Sequence, residues 1–256
     1  MAILSKTKTF LEQTGDIARF TGKFLFMGKQ SRYETREFLA QCYSIGYLSL
    51  GLVGLTGFIM GLVLTMQLEP PLARYGVASE LPGMVGIAII REIGPVLTAL
   101  VFAGKIGSSI GAELGSMKET DQIDAMEVSG TNPFKYLVAT RVLAATLMLP
   151  VLTVLSDGVC LVGSFIGINI TSVMSLILFF RKVISSLSFG DVMPSVIKTF
   201  FFGFSVSMIG CYKGFAATKG TRGVGSAANS AVVLSSVMIF VIDLIAVQFT
   251  NLLHLN

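Results

Sequence analysis

Apolar residues in this chain run in long blocks rather than alternating or recurring on one face. Between positions 40 and 68 there is no charged residue at all, and about 20 largely apolar residues suffice for a helix to cross a bilayer. A second block, about 81–112, is interrupted by Arg91, Glu92 and Lys105. Asn132-Pro133 offers an N-cap and a first-turn proline for a third, about 133–168. Two more cover about 192–212 and 226–253. Residues 171–190 are apolar but broken by "FFRKVISSLSFGD", and the pattern predicts an interfacial segment there, with a sixth span as the alternative.

The first forty residues behave differently. Residues 1–41 carry seven basic and four acidic side chains without a continuous apolar core, so a cleavable signal peptide is not expected. Phe10, Ile17, Phe20, Phe24 and Met27 fall on one helical stripe, with Glu12, Asp16, Arg19 and Lys23 on the other side. That spacing predicts a helix lying in the membrane surface; the alternative is an amphipathic helix packed on protein. The expected fold is therefore an all-α membrane protein: an N-terminal amphipathic interfacial helix in region 1–40, then a transmembrane domain, 41–256, of five helices.

Composition agrees with a lipid solvent. The chain is 53% hydrophobic and 13% charged, with mean hydropathy +0.77, whereas soluble domains carry about a quarter charged residues. Cys42, Cys160 and Cys211 sit in apolar segments without metal-ligand spacing, which reads as buried reduced thiols and no metal site. Basic residues orient the spans. With the N-terminus inside, regions 1–40, 113–136 and 213–225 hold twelve Lys and Arg, while 67–83 and 165–195 hold Arg74, Arg181 and Lys182. The excess places the N-terminus in the cytoplasm and the C-terminus on the far side.

Small residues indicate how the helices meet. Gly107, Gly111 and Gly115 recur every four residues, and Gly57/Gly61 and Gly163/Gly167 repeat the spacing. Such stripes let backbones approach closely, within or between subunits. The polar loop 113–133, "ELGSMKETDQIDAMEVSGTNP", predicts a short helix capped by Thr120 or Asp121 and closed by Gly130. Ile123, Ala125, Met126 and Val128 give it apolar contacts, and Glu119, Asp121, Asp124 and Glu127 keep it soluble. It suits docking in a groove of another protein, or serves as a passive structured loop.

Several chemistries are excluded. There is no G-x-x-x-x-G-K-[ST], so this chain is not expected to bind ATP by a phosphate loop. No nucleophile–base pair suggests an enzyme, and His254, the sole histidine, reads as a bystander. Charges at membrane depth are expensive and usually mark a functional cavity. Arg91, Glu92, Lys198 and Asp243 are deep candidates, with Arg141 and Asp157 in the third span. Their signs suggest interhelical pairs such as Arg91 with Asp243 or Glu92 with Lys198. Adjacent helical residues diverge by about 100°, so Arg91 and Glu92 are expected to find different partners.

The block "REIGPVLTALVFAGKIGSSIGAELGSMKETDQIDAMEVSGTNP", then "RVLAATLMLPVLTVLSD" and "ATKGTRGVGSAANSAVVLSSVMIFVIDL", closely resembles the permease subunit of MCE-type ABC transporters, the MlaE/YrbE family. The similarity covers roughly 40–253. It implies a homodimeric permease of the bacterial inner membrane that moves phospholipids between inner and outer membranes. The implied partners are two ATPases holding the ATP and Mg, a STAS-domain protein, and a hexameric periplasmic MCE protein; no nucleic acid is expected. The loop matching 113–133 would be the coupling helix on the ATPase, through Glu119, Asp121, Ile123, Asp124, Met126 and Glu127. Positions Arg91, Glu92, Lys198 and Asp243 would form a central polar set near the lipid pocket. For the apolar pocket wall, Leu62, Val63, Met66, Leu68, Val77, Leu81 and Met84 are candidates. Loop 67–83, beginning where Pro70 and Pro71 are expected to end the first span, and segment 171–190 are candidate docking sites for the MCE protein. The competing class is a stand-alone ion-coupled secondary transporter using the buried charges as a relay. It would often show two inverted halves, and the chain has no such internal repeat.

Overall fold

The computed structural model describes residues 15–26 and 35–252. Eight helices and no strands occur among the described residues: α1 (15–26), α2 (Thr35–Arg74), α3 (Ala78–Glu119), α4 (Gln122–Val128), α5 (Phe134–Thr171), α6 (Leu176–Ser186), α7 (Phe189–Phe215) and α8 (Thr221–Leu252). Five of them, α2, α3, α5, α7 and α8, are long and apolar enough to cross a membrane. The chain is a multi-pass membrane protein.

Segment 171–190 resolves into α6, whose 11 residues are too short to span a bilayer. It lies against the start of α3, burying Phe179 and Val183 between Leu81, Val85 and Ile89. Gly83 and Gly86 make room: a Cβ at Gly86 would stand 2.8 Å from Val183.

One expectation needs correction. Pro70 and Pro71 do not end the first span; they lie inside α2, which continues to Arg74. The stop is Gly76, at φ +73°, where its N–H donates to Ala73 O and the Val77 N–H donates to Leu72 O. That pair of bonds is a Schellman closure, and it sets the helix end irrespective of the prolines. α1 also packs one face on the bundle, the alternative that its periodicity allowed. Its stripe faces protein: Phe20 meets Phe134, Tyr212 and Phe215 at 4.9, 5.8 and 6.0 Å between ring centroids, and Phe24 meets Phe204 at 5.9 Å. The first turn of α5 and the C-terminal half of α7 thus supply apolar surface to Phe20 and Phe24. Phe10 and Met27 lie outside the described residues.

α2 runs along α5, α3 along both α7 and α8, and α7 also contacts α5 and α8. The α2–α5 seam is backbone on backbone. A Cβ at Gly61 would strike the Cys160 carbonyl and one at Gly163 the Phe58 carbonyl, while Ser164 donates across the seam to Gly61 O at 3.2 Å. Gly107, Gly111 and Gly115 face α7 and α8 within the same chain: Gly111 sits 3.3 Å from Ala227 and Ala231, measured from an added Cβ.

α3 is not a uniform α-helix. It widens into π turns at Ile89–Ile93 and Ala103–Gly107, and α5 does so at Phe134–Ala139. The sequence Gly94-Pro95 explains the first. The Gly94 N–H donates to Ile89 O, and Pro95 has no N–H to offer Ile90 O. The Ser195 hydroxyl from α7 donates to that carbonyl instead, at 2.6 Å. Wide turns of this kind occur frequently at functional sites, and this one carries Arg91 and Glu92.

Candidate functional site

Lys198, on α7, is buried with 4% of its side chain exposed, yet bonds two carboxylates. Its Nζ lies 2.8 Å from Glu92 Oε2 on α3 and 2.8 Å from Asp243 Oδ1 on α8. One ammonium therefore ties three helices together. The expected Glu92–Lys198 pair is present. The suggested Arg91–Asp243 pair is replaced: Asp243 bonds Lys198, and Arg91 Nη1 lies 3.7 Å from Asp191 in the first turn of α7. The divergence of neighbouring side chains on a helix accounts for the split, sending Glu92 to the middle of α7 and Arg91 to its start. Asp191 is itself held in place, accepting from the Ser188 N–H at 2.9 Å in a capping box.

Two hollows meet at Lys198. One is an apolar groove of about 510 Å³ between α7 and α8, walled by Ile197, Phe201, Ile242, Ile245 and Phe249. The other is a small charged pocket bounded by Arg91, Glu92, Asp191, Ser195 and Lys198. Pro194, Lys198, Ala246 and Thr250 line both. Sequence reasoning missed the groove residues. Their signal is a helical stripe on α7 and α8 leading away from Lys198 and Asp243, visible only once those two are paired.

The proposed wall residues lie elsewhere. Leu62, Val63, Met66 and Leu68 are on the C-terminal half of α2, Val77 is in the following turn, and Leu81 and Met84 open α3. Leu81 is buried and Leu68 packs beside it against α6, while Val63, Met66, Val77 and Met84 are exposed. None of the seven lines the α7–α8 groove.

Deeper in α5, Asp157 is 9% exposed, and its Oδ1 has no hydrogen-bond partner among the described residues. It presses on Gly94, where a Cβ would strike that oxygen. Arg141, on the same helix, is 3% exposed; it donates to Leu137 O at 3.0 Å and meets Glu113 at 2.9 Å.

At the end of the molecule near α1, α4 carries the acidic loop. Gly130, at φ +80°, closes it, and Asn132 Oδ1 accepts from the Lys135 N–H at 3.2 Å to start α5. The start differs from expectation. Asp121 occupies the cap position in left-handed backbone, φ 54°, and its side chain makes no capping bond; its carboxylate instead lies 3.4 Å from Lys219. The Thr120 hydroxyl donates back to Ser116 O at 2.9 Å. Glu119 accepts from the Gly220 N–H, directly before α8. Ile123 is buried and Met126 half-buried, while Asp124 is bonded to Lys118 at 2.8 Å and Glu127 is exposed. Asp124, Glu127, Phe20 and Phe215 border an open hollow of about 570 Å³.

Five spanning helices, three of them joined by a buried cation and two carboxylates beside an apolar groove, define a multi-pass membrane protein of transporter type. The comparisons make that specific. The family model described as Permease MlaE matches residues 38–249, and the chain belongs to the MlaE permease family. A probable ABC transporter permease protein of Rickettsia typhi is 38% identical over 207 residues, covering 79% of this chain and 78% of the relative. One from Synechocystis is 35% identical over 221 residues, 86% of this chain and 84% of the relative. The chloroplastic protein TRIGALACTOSYLDIACYLGLYCEROL 1 of Arabidopsis thaliana is 35% identical over 214 residues, 84% of this chain and 61% of that protein.

Proposed function

We propose that this chain is the permease subunit of an ABC transporter that moves phospholipids between the inner and outer membranes of a bacterium. The observation that carries the reading is the join at Lys198. An apolar groove opening on a charged pocket matches an amphiphile, acyl chain along Ile197, Phe201 and Phe249 and headgroup beside Arg91 and Lys198. Family membership supports a permease, and one relative carries the name of a diacylglycerol lipid.

In this reading the protein sits in the inner membrane as a homodimer, N-terminus in the cytoplasm and C-terminus in the periplasm. It catalyses no covalent chemistry; two partner ATPases bind ATP and Mg and dock on α4 through Asp124, Glu127 and the exposed Val128. A STAS-domain protein completes the cytoplasmic side. A hexameric MCE protein receives lipid at the outer end, against α6 and the turn after α2.

Affinity purification of the tagged full chain from mild detergent tests this, comparing wild type with Asp124→Arg/Glu127→Arg. The expected result is a co-purifying ATPase lost in the variant while phospholipid stays bound. Wild type that comes down without ATPase or lipid would overturn the reading and favour an ion-coupled transporter built on the Lys198 cluster.

A further inference from the structure

Among the described residues, the charges around Lys198 do not balance. Two cations, Arg91 and Lys198, face three carboxylates, Glu92, Asp191 and Asp243. Asp157, pressed behind α3, supplies no compensating positive charge. The imbalance is concentrated at one point, where a single ammonium serves both Glu92 and Asp243. Lys198 is 4% exposed, whereas the side chains of Glu92 and Asp243 are 38% and 19% exposed, so the carboxylates are the more open members of the triad. Away from bulk water an uncompensated charge is felt strongly, and a carboxylate retains lone pairs after one bond.

We infer that this pocket selects zwitterionic phospholipids bearing a primary amine, as in phosphatidylethanolamine, and disfavours net-anionic ones such as phosphatidylglycerol. The inference rests on the lipid-permease reading and adds its headgroup class. A headgroup ammonium brings donors and a positive charge to Glu92, which borders the charged pocket, and offsets the charge of Asp243 on the far side of Lys198. Its phosphate lies toward Arg91, whose guanidinium fork suits phosphate oxygens. A glycerol headgroup brings the phosphate charge with no cation, into a site already one negative charge in excess.

The test is lipid retention from nanodiscs of equimolar phosphatidylethanolamine and phosphatidylglycerol with matched acyl chains. The full-length protein is extracted, washed and assayed by mass spectrometry. Retained phosphatidylethanolamine is expected to be enriched about fivefold over the bulk ratio, a discrimination of about 1 kcal/mol. Glu92→Gln or Asp243→Asn removes the excess charge and should bring the ratio back toward bulk. Arg91→Gln deepens the excess and should sharpen the exclusion of phosphatidylglycerol; a general loss of structure would move all three variants the same way. Retention at the bulk ratio by wild type would overturn the headgroup inference and leave the permease reading standing. A wild-type protein that retains no lipid would take down both.

Discussion

Arg141 and Glu113 meet at 2.9 Å with one partner in the core and the other at its edge: the arginine is 3% exposed and the glutamate 53%. The pair is therefore unequal in what each partner leaves behind. Removing Glu113 strands a buried guanidinium whose Nε already lacks a partner among the described residues. Removing Arg141 leaves a carboxylate that water can reach.

Glu113→Ala is accordingly expected to destabilise the protein more than Arg141→Met, by about 3 kcal/mol against about 1, because an uncompensated buried charge is the larger penalty. Thermal unfolding of the two purified variants in one detergent decides the order. Equal losses would mean the guanidinium finds water once its partner is gone.

Lys198→Met should be among the most damaging single changes in the membrane domain, costing about 3–5 kcal/mol by leaving Glu92 and Asp243 to repel each other unpaired. The triple variant Lys198→Met/Glu92→Gln/Asp243→Asn removes all three charges and is expected to recover most of the yield of folded protein, without recovering transport. Size-exclusion profiles in detergent report the first part. If the triple variant is as unstable as the single one, packing at Lys198 outweighs its charge.

Gly61→Ala places a methyl group against the Cys160 carbonyl, which belongs to the backbone of α5 and cannot turn aside. A loss of about 1–3 kcal/mol is expected from the overpacking. Gly51→Ala, with nothing within 4 Å of the new carbon, should leave the melting temperature unchanged. Comparable losses at both positions would point to helix geometry rather than to the seam.

Glu119 links the acidic loop to the start of α8 through the Gly220 N–H, and α8 carries Asp243. In the assembled transporter, Glu119→Ala is expected to lower lipid moved per ATP hydrolysed about tenfold, the scale of about 1.4 kcal/mol of lost coupling, while ATP hydrolysis persists. Reconstituted vesicles carrying fluorescent phospholipid give both rates. A parallel fall in the two would mean the bond serves assembly rather than transmission.

The five spans were legible because a bilayer demands length and apolarity, and both are written locally in each block. Segment 171–190 resolved on length, since α6 is half a span. The α2 end was misread because two prolines looked like a stop, whereas the bonds that close the helix depend on Gly76, five residues after Pro71. The stripe of α1 was read correctly as a stripe, but periodicity cannot distinguish lipid from Phe134 and Phe215. The deep charges could be named from their place in apolar blocks, and the family resemblance singled out the central four. Their pairing depended on the π turn at Ile89–Ile93, which Gly94, Pro95 and a hydroxyl on another helix define together. The α7–α8 groove lies further still from the sequence, because its walls come from positions nearly fifty residues apart.

The two wide turns in α3 have a consequence for how that helix can change. Each inserts roughly one residue into the winding, and one residue is worth about 100° of azimuth. The charged segment at 91–92 and the glycine stripe from 107 onward are thus aimed independently, separated by an azimuthal offset that a uniform helix could not provide. Tightening the turn at Ala103–Gly107 into ordinary winding would swing Glu92 away from Lys198 even with the glycine stripe held fast between α7 and α8. α3 is in this sense a rod with a built-in swivel, and its two working faces need not turn together.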